Sequence, residues 1–178
     1  SKYSTIFDYT GSGPCISMKR YNGNYLVNCT IENIAIKFIY KNSIGIEFMA
    51  SHSVTRNIRI SLMEQSSVGI VLVGDKKGTG SYYNSFYNCN VQGRIQNGIK
   101  DQIGVKFTSS RETPSRCPNA NSFFGGRIGQ VEKGYIINGG GNTFYSPILE
   151  GVTKSCFRFE NELSPVGCVS NNVYSPYI

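Results

Sequence analysis

The sequence contains no tryptophan, a single histidine and only six prolines, and charged residues make up just 16% of its 178 positions. An average globular domain carries about 25% charge. So little charge, together with abundant glycine and aromatics, argues against a disordered or helical chain and suits an all-β one with many tight turns. No run of about 18 apolar residues occurs, so no helix to span a bilayer is expected and no membrane insertion. No signal peptide is visible. The six cysteines, Cys15, Cys29, Cys89, Cys117, Cys156 and Cys168, form no CxxC, and His52 alone cannot complete a Cys/His zinc set. No metal or other cofactor is expected. The cysteines read as free thiols of a protein assembled in reducing cytosol.

What the sequence does have is repetition. "NSFYNCNVQG" starts at Asn84, "NSFFGGRIGQ" at Asn121, "NTFYSPILEG" at Asn142 and "NNVYSPYI" at Asn171, with looser copies around Asn33 and Asn57. A second short pattern follows each copy but the last: "GIEF" at Gly45, "GIVL" at Gly69, "GVKF" at Gly104, "GYII" at Gly134 and "CFRF" at Cys156. The second series recurs at 24, 35, 30 and 22 residues, and the first keeps step with it. Two patterns held in phase at periods of 20–50 residues mark a solenoid, propeller or array. The strands are too short and too few per repeat for propeller blades, the leucine-rich frame is absent, and period-2 alternation excludes helical repeats.

A parallel β-helix remains. Its expected inward residues are Ile46/Phe48, Ile70/Leu72, Val105/Phe107, Tyr135/Ile137 and Phe157/Phe159 in one series. The other series supplies Ile34/Ile36, Ile58/Ile60, Cys89/Val91, Gly126/Ile128, Pro147/Leu149 and Pro176/Ile178. Each large side chain buried contributes about 1.5–3 kcal/mol. The asparagines at 84, 121, 142 and 171 are expected at turns, where they tolerate φ > 0 and bond to one another along the axis. Tyr87, Phe124, Tyr145 and Tyr174 are expected to stack.

These in-phase "NxxI" and "GIxF" strands with their asparagine columns resemble the right-handed single-stranded parallel β-helix of the pectate-lyase-like superfamily, in about six coils over residues 5–178. Within it, the variable loops and the opening "YTGSGPCISM" resemble bacteriophage tailspikes and capsule depolymerases. The resemblance implies a homotrimer of the virion tail, assembled in host cytoplasm. Its implied role is to bind and degrade a bacterial capsular polysaccharide, lipopolysaccharide or teichoic acid during host attachment. The alternatives are a non-enzymatic receptor-binding or shaft segment, and a secreted pectin-type lyase. The chain opens on Ser1 in strand-like sequence and stops inside a repeat at Ile178. Residues 1–178 are therefore read as one β-helix domain cut from a longer chain, its last edge needing continuation or a partner.

The net charge of +7 favours an anionic partner. Positive residues are scattered rather than clustered, which argues against nucleic acid. The outward stripe of the first series, Ala35, Arg59, Asn90, Arg127, Ile148 and Tyr177, runs beside Lys37, Ser61, Gln92, Gly129 and Glu150. Arg59, Asn90, Gln92 and Arg127 are the groups expected to hydrogen-bond an acidic polysaccharide. The outward column of the second series, Glu47, Val71, Lys106, Ile136 and Arg158, would suit another subunit.

Glycoside hydrolysis uses two carboxyl groups, about 6.5–9.5 Å apart for inversion. Glu64 and Glu132 share a column two coils apart, roughly 9–10 Å at about 4.8 Å per strand. Glu150 lies one coil above Glu132 and nearer the stripe. These three are the candidate catalytic acids. A lyase would instead need a base, for which His52 is the one histidine. "GDKKGTGS" at 74–81 has the wrong order for a phosphate loop, "GGG" at 139–141 reads as a bend, and the excursions 93–103 and 109–120 could wall a groove.

Overall fold

The structure, a computed structural model, describes residues 5–19, 26–38, 41–74, 80–95, 99–109, 117–160 and 170–178. Among them all regular structure is β. The strands are β1 (Thr5–Tyr9), β2 (Gly13–Met18), β3 (Thr30–Phe38), β4 (Ser43–Phe48), β5 (Val54–Ser61), β6 (Val68–Gly74), β7 (Ser85–Tyr87) and β8 (Asn90–Gln92). They continue with β9 (Ile103–Ser109), β10 (Ser122–Phe124), β11 (Arg127–Gly129), β12 (Lys133–Ile137), β13 (Thr143–Tyr145), β14 (Ile148–Glu150), β15 (Ser155–Phe159) and β16 (Asn172–Tyr174).

The chain passes alternately between two parallel sheets. The first sheet collects β1, β3, β5, β7, β8, β10, β11, β13, β14 and β16, and the second runs β2–β4–β6–β9–β12–β15. Each strand pairs with its counterpart from the next repeat, which is compatible with a parallel β-helix. The second sheet follows the expected register: Ile46 faces Ile70, Ile70 faces Val105 and Tyr135 faces Phe157.

In the first sheet, β5 pairs with both β7 and β8, so one long strand gives way to two short ones. The residues at the break, Asn33, Asn57, Asn88, Gly125, Ser146 and Ser175, all have φ between 47° and 61°. Stacking a left-handed residue at one level of every repeat bends the sheet along a line. Asn, Ser and Gly dominate there because bulkier side chains meet the following carbonyl in this conformation.

A second left-handed column, Asn28, His52, Tyr83, Ala120, Gly141 and Ser170, precedes the asparagines of the repeat. This corrects one expectation. Positive φ belongs to the residue before each of Asn84, Asn121, Asn142 and Asn171, not to the asparagine. The asparagines instead form a ladder: Asn84 Nδ2 donates to Asn121 Oδ1 at 2.9 Å, Asn121 to Asn142 at 3.1 Å and Asn142 to Asn171 at 3.0 Å. Each amide also donates to a main-chain carbonyl, those of Ala50, Ser81, Pro118 and Gly139 in turn. The rungs are spent on buried backbone that would otherwise lack partners.

The core holds the expected aliphatic columns, with Ile46, Ile58, Ile60 and Leu72 fully buried. It also holds a column that alternation in the short copies did not bring out. Phe86, Phe123 and Phe144 stack inside the first sheet, with centroids 4.4 and 5.2 Å apart. At the last repeat Pro176 and Ile178 are exposed, although the pairing of Tyr177 with Ile148 keeps them in the expected register, and Phe159, also expected inward, is exposed as well. Cys15, Cys29, Cys89, Cys117 and Cys156 are free thiols.

Glycine serves a packing role in the second sheet, where Gly45, Gly69, Gly104 and Gly134 stand one above another. A Cβ on Gly104 would lie 2.6 Å from Ile128 Cγ2 and 2.7 Å from the Gly134 carbonyl. The column lets the second sheet close on Ile60, Val91, Ile128 and Leu149 of the first.

Candidate functional site

Short strands β8 and β11, with the end of β5, carry their even-numbered or odd-numbered side chains outward in register: Arg59 beside Asn90, and Ser61 beside Gln92. Long side chains at the two flanking levels and short amides between them leave a depression. It is an open pocket of about 280 Å³ lined by Arg59, Asn90, Val91, Gln92 and Arg127. The structure thus brings together Arg59, Asn90, Gln92 and Arg127 around one space. Val91 points its side chain inward and contributes only backbone to the floor, as its burial requires.

The two arginines differ. Arg127 is tied on three sides: its Nε and Nη2 donate to Glu150 Oε2 at 2.9 and 2.6 Å, and its Nη1 donates to Gln92 Oε1 at 3.1 Å. Its backbone N–H donates to Asn90 Oδ1 at 2.9 Å. Gly129 makes this possible, because a Cβ there would lie 2.9 Å from Gln92 Oε1 and 3.5 Å from Arg127 Cζ. The Arg59 side chain is exposed and has neither hydrogen bond nor ion pair among the described residues.

The amides face the pocket with donors. Asn90 and Gln92 use their oxygens on Arg127, and each NH2 spends one hydrogen on a main-chain carbonyl, of Asn88 and Gly93. One hydrogen on each remains. With the five N–H groups of Arg59 and the two that Arg127 has left, the pocket's side chains offer nine donors, and no carboxylate lines it. Such a surface suits an anion rich in oxygen.

The candidate acids do not converge there. Glu64 is exposed on the turn after β5, and its main-chain carbonyl accepts from Gln102 Nε2 at 2.9 Å. Gln102 in turn accepts the Glu132 N–H on its own carbonyl at 3.1 Å, which places Gln102 between the two glutamates. Glu132 pairs with Lys154 at 2.8 Å, its side chain 14% exposed. The hydrogen bond from Lys154 holds the Glu132 carboxyl below its ordinary range, more than burial raises it. A general acid needs the opposite shift. Glu150 is Arg127's partner, and neither Glu64 nor Glu132 lines the pocket.

His52 is exposed and stacks on Tyr83, with centroids 5.1 Å apart, in the left-handed column just before β5, and it does not line the pocket. The rings of Tyr87, Phe124, Tyr145 and Tyr174 stack at 4.7, 4.9 and 5.2 Å within 12° of parallel. The faces between neighbouring rings are spent on one another, the stacking ladder expected rather than a row of open platforms for sugar rings. In the second sheet's outward column, Val71 and Ile136 are 6% and 4% exposed. Its apolar part is already covered within the chain, leaving the charged members Glu47, Lys106 and Arg158. All of 75–79, 96–98 and 110–116, and Cys168, lie outside the described residues, and with them the greater part of "GDKKGTGS" and of the excursion 109–120.

Sequence reasoning set Arg127 and Glu150 in adjacent columns without joining them. The signal was Gly129, the missing side chain between them. No protein-family model, curated protein or solved structure matches the chain.

Proposed function

We propose that the chain is a right-handed parallel β-helix of about six coils, of the bacteriophage tailspike kind, whose Arg59–Arg127 groove binds an acidic polysaccharide of a bacterial surface. The observation that carries this reading is the pocket itself: an unpaired arginine, two amides with spare donors and a second arginine, set into one face of a rigid parallel sheet. Rigid strands preorganise such groups, and little entropy is lost on binding. The net charge of +7 adds a long-range attraction for polyanions. Assembly as a homotrimer in a virion tail belongs to the same proposal and rests on the resemblance to tailspikes alone.

Binding, rather than cleavage, is what the geometry favours. Glu132 is suited to act as an ionised base and Glu150 is engaged, which would leave the acid role to exposed Glu64, away from the pocket. Incubation with isolated capsular polysaccharide, lipopolysaccharide and teichoic acid tests both parts, with retention measured beside chain length. Retention of acidic glycans, weakened by salt and without shortening, is the expected result. Shortening would restore the depolymerase reading, and failure to retain any acidic glycan would overturn the proposal.

A further inference from the structure

Three of the five N–H groups of the Arg127 guanidinium are occupied by the chain itself. A single carboxylate oxygen of Glu150 takes both Nε and Nη2, and Gln92 takes Nη1. The Nε/Nη2 edge used here is the one an arginine offers to a ligand carboxylate. Arg59, two levels away in the same outward column and about 10 Å distant by strand spacing, has no such partner among the described residues. Of the two arginines that line the pocket, Arg127 therefore already holds a carboxylate and Arg59 holds none, with Asn90 and Gln92 between them.

We infer that Glu150 is a built-in occupant of the Arg127 position that a uronic-acid carboxylate of the polysaccharide would otherwise take, so that Glu150 sets the affinity and charge selectivity of the groove. The inference rests on reading the pocket as a polysaccharide-binding groove. Arg59 takes the first ligand carboxylate. A second carboxylate must displace Glu150 from Arg127, or be repelled by it. The Arg127–Glu150 pair is 44% exposed on both sides, so its carboxylate can swing aside without leaving a buried charge. Gly129 supplies the room, since nothing rises between the two columns at that level. Phosphate-linked polymers fit this position less well, because what the chain has placed there is a planar carboxylate.

The test is calorimetric titration with oligogalacturonate, a linear polyuronate, against neutral maltohexaose. Four proteins are compared: the wild type, Glu150→Gln, Arg59→Ala, and Glu47→Gln as a control for net charge. Glu47 pairs with Lys19 at 3.0 Å on the other sheet. Glu150→Gln is expected to tighten oligogalacturonate binding about two- to fivefold, the fold-change of an exposed ion pair. Arg59→Ala is expected to weaken it, Glu47→Gln to leave it unchanged, and maltohexaose to bind none of them measurably. If Arg59→Ala weakens binding but Glu150→Gln does not tighten it, the role of Glu150 falls and the groove reading stands. An equal gain in Glu47→Gln overturns the inference as well, by assigning the effect to net charge. No binding by either the wild type or Glu150→Gln overturns the inference and the groove reading together.

Discussion

Asn84 and Asn121 are 37 residues apart in sequence and joined side chain to side chain by a hydrogen bond of 2.9 Å, both essentially without solvent exposure. Asn121 passes the bond on to Asn142 and gives its other hydrogen to the Ser81 carbonyl at 2.8 Å. One amide therefore satisfies groups from three repeats. Asn121→Ala is expected to cost about 3 kcal/mol, because it strands several buried polar groups at about 1–3 kcal/mol each. Asn171→Ala, at the half-buried end of the ladder, should cost less. Urea unfolding of both variants checks the order, and equal losses would refute the ladder's graded burial.

Glycine at 104 is a packing requirement. In Gly104→Ala the new methyl would meet both a side chain and a carbonyl inside 3 Å. A loss of about 3 kcal/mol is expected, the upper range for overpacking. Combining it with Ile128→Val should not restore stability, since Ile128 Cγ2 has its counterpart in valine and the Gly134 carbonyl stays. Thermal melts of the single and double variants decide this.

The bend column makes the opposite prediction for serine. Ser146 sits at φ 47°, one level above Gly125 at φ 61°. A left-handed L-residue costs about 1–2 kcal/mol, offset by about 0.5–1 kcal/mol of extra entropy lost by glycine. Ser146→Gly should therefore stabilise by about 0.5 kcal/mol, while Gly125→Val should destabilise clearly. Paired denaturation curves provide the comparison.

Alkaline stability should report on Cys89. Burial pushes its thiol up from the usual 9.0 to about 12, against smaller lowering from backbone contacts. The unfolded chain releases this proton above pH 9 and the folded one keeps it until about pH 12. The folded state's advantage is thus complete below pH 9 and declines as pH rises toward 12. The slope for one proton is about 1.4 kcal/mol per pH unit. Burial moves the Tyr135 hydroxyl in the same direction. Cys89→Ala should be less stable at pH 7 yet fall less steeply between pH 9 and 12. An unchanged slope would place the titration elsewhere.

How far the sequence announced this architecture depends on the kind of feature. Gly45, Gly69, Gly104 and Gly134 recur with an alternating apolar strand behind each, so the second sheet and its register could be read directly. The first sheet was half legible. Cys89/Val91 and Ile128 stood out, but Phe86, Phe123 and Phe144 were hidden, since a three-residue strand is too short to show its period. The asparagine column was found, yet its backbone role was placed one residue late, because the positions before it (Tyr83, Ala120, Gly141, Ser170) share no residue type. At the site, column arithmetic placed Arg59, Asn90, Gln92 and Arg127 on one face. It could not choose between a free and a paired arginine, which depends on how Arg127 lies across Gly129.

The central claim is that the pocket between Arg59 and Arg127 holds an acidic saccharide. Titrating the isotope-labelled protein with oligogalacturonate and following amide and arginine Nε–H resonances by nuclear magnetic resonance addresses it most directly. Saturable, salt-sensitive shifts at Arg59, Asn90, Gln92 and Arg127, with the second sheet and the Tyr87–Tyr174 ladder unmoved, are predicted. Shifts confined to those other surfaces, or none at all, would contradict it.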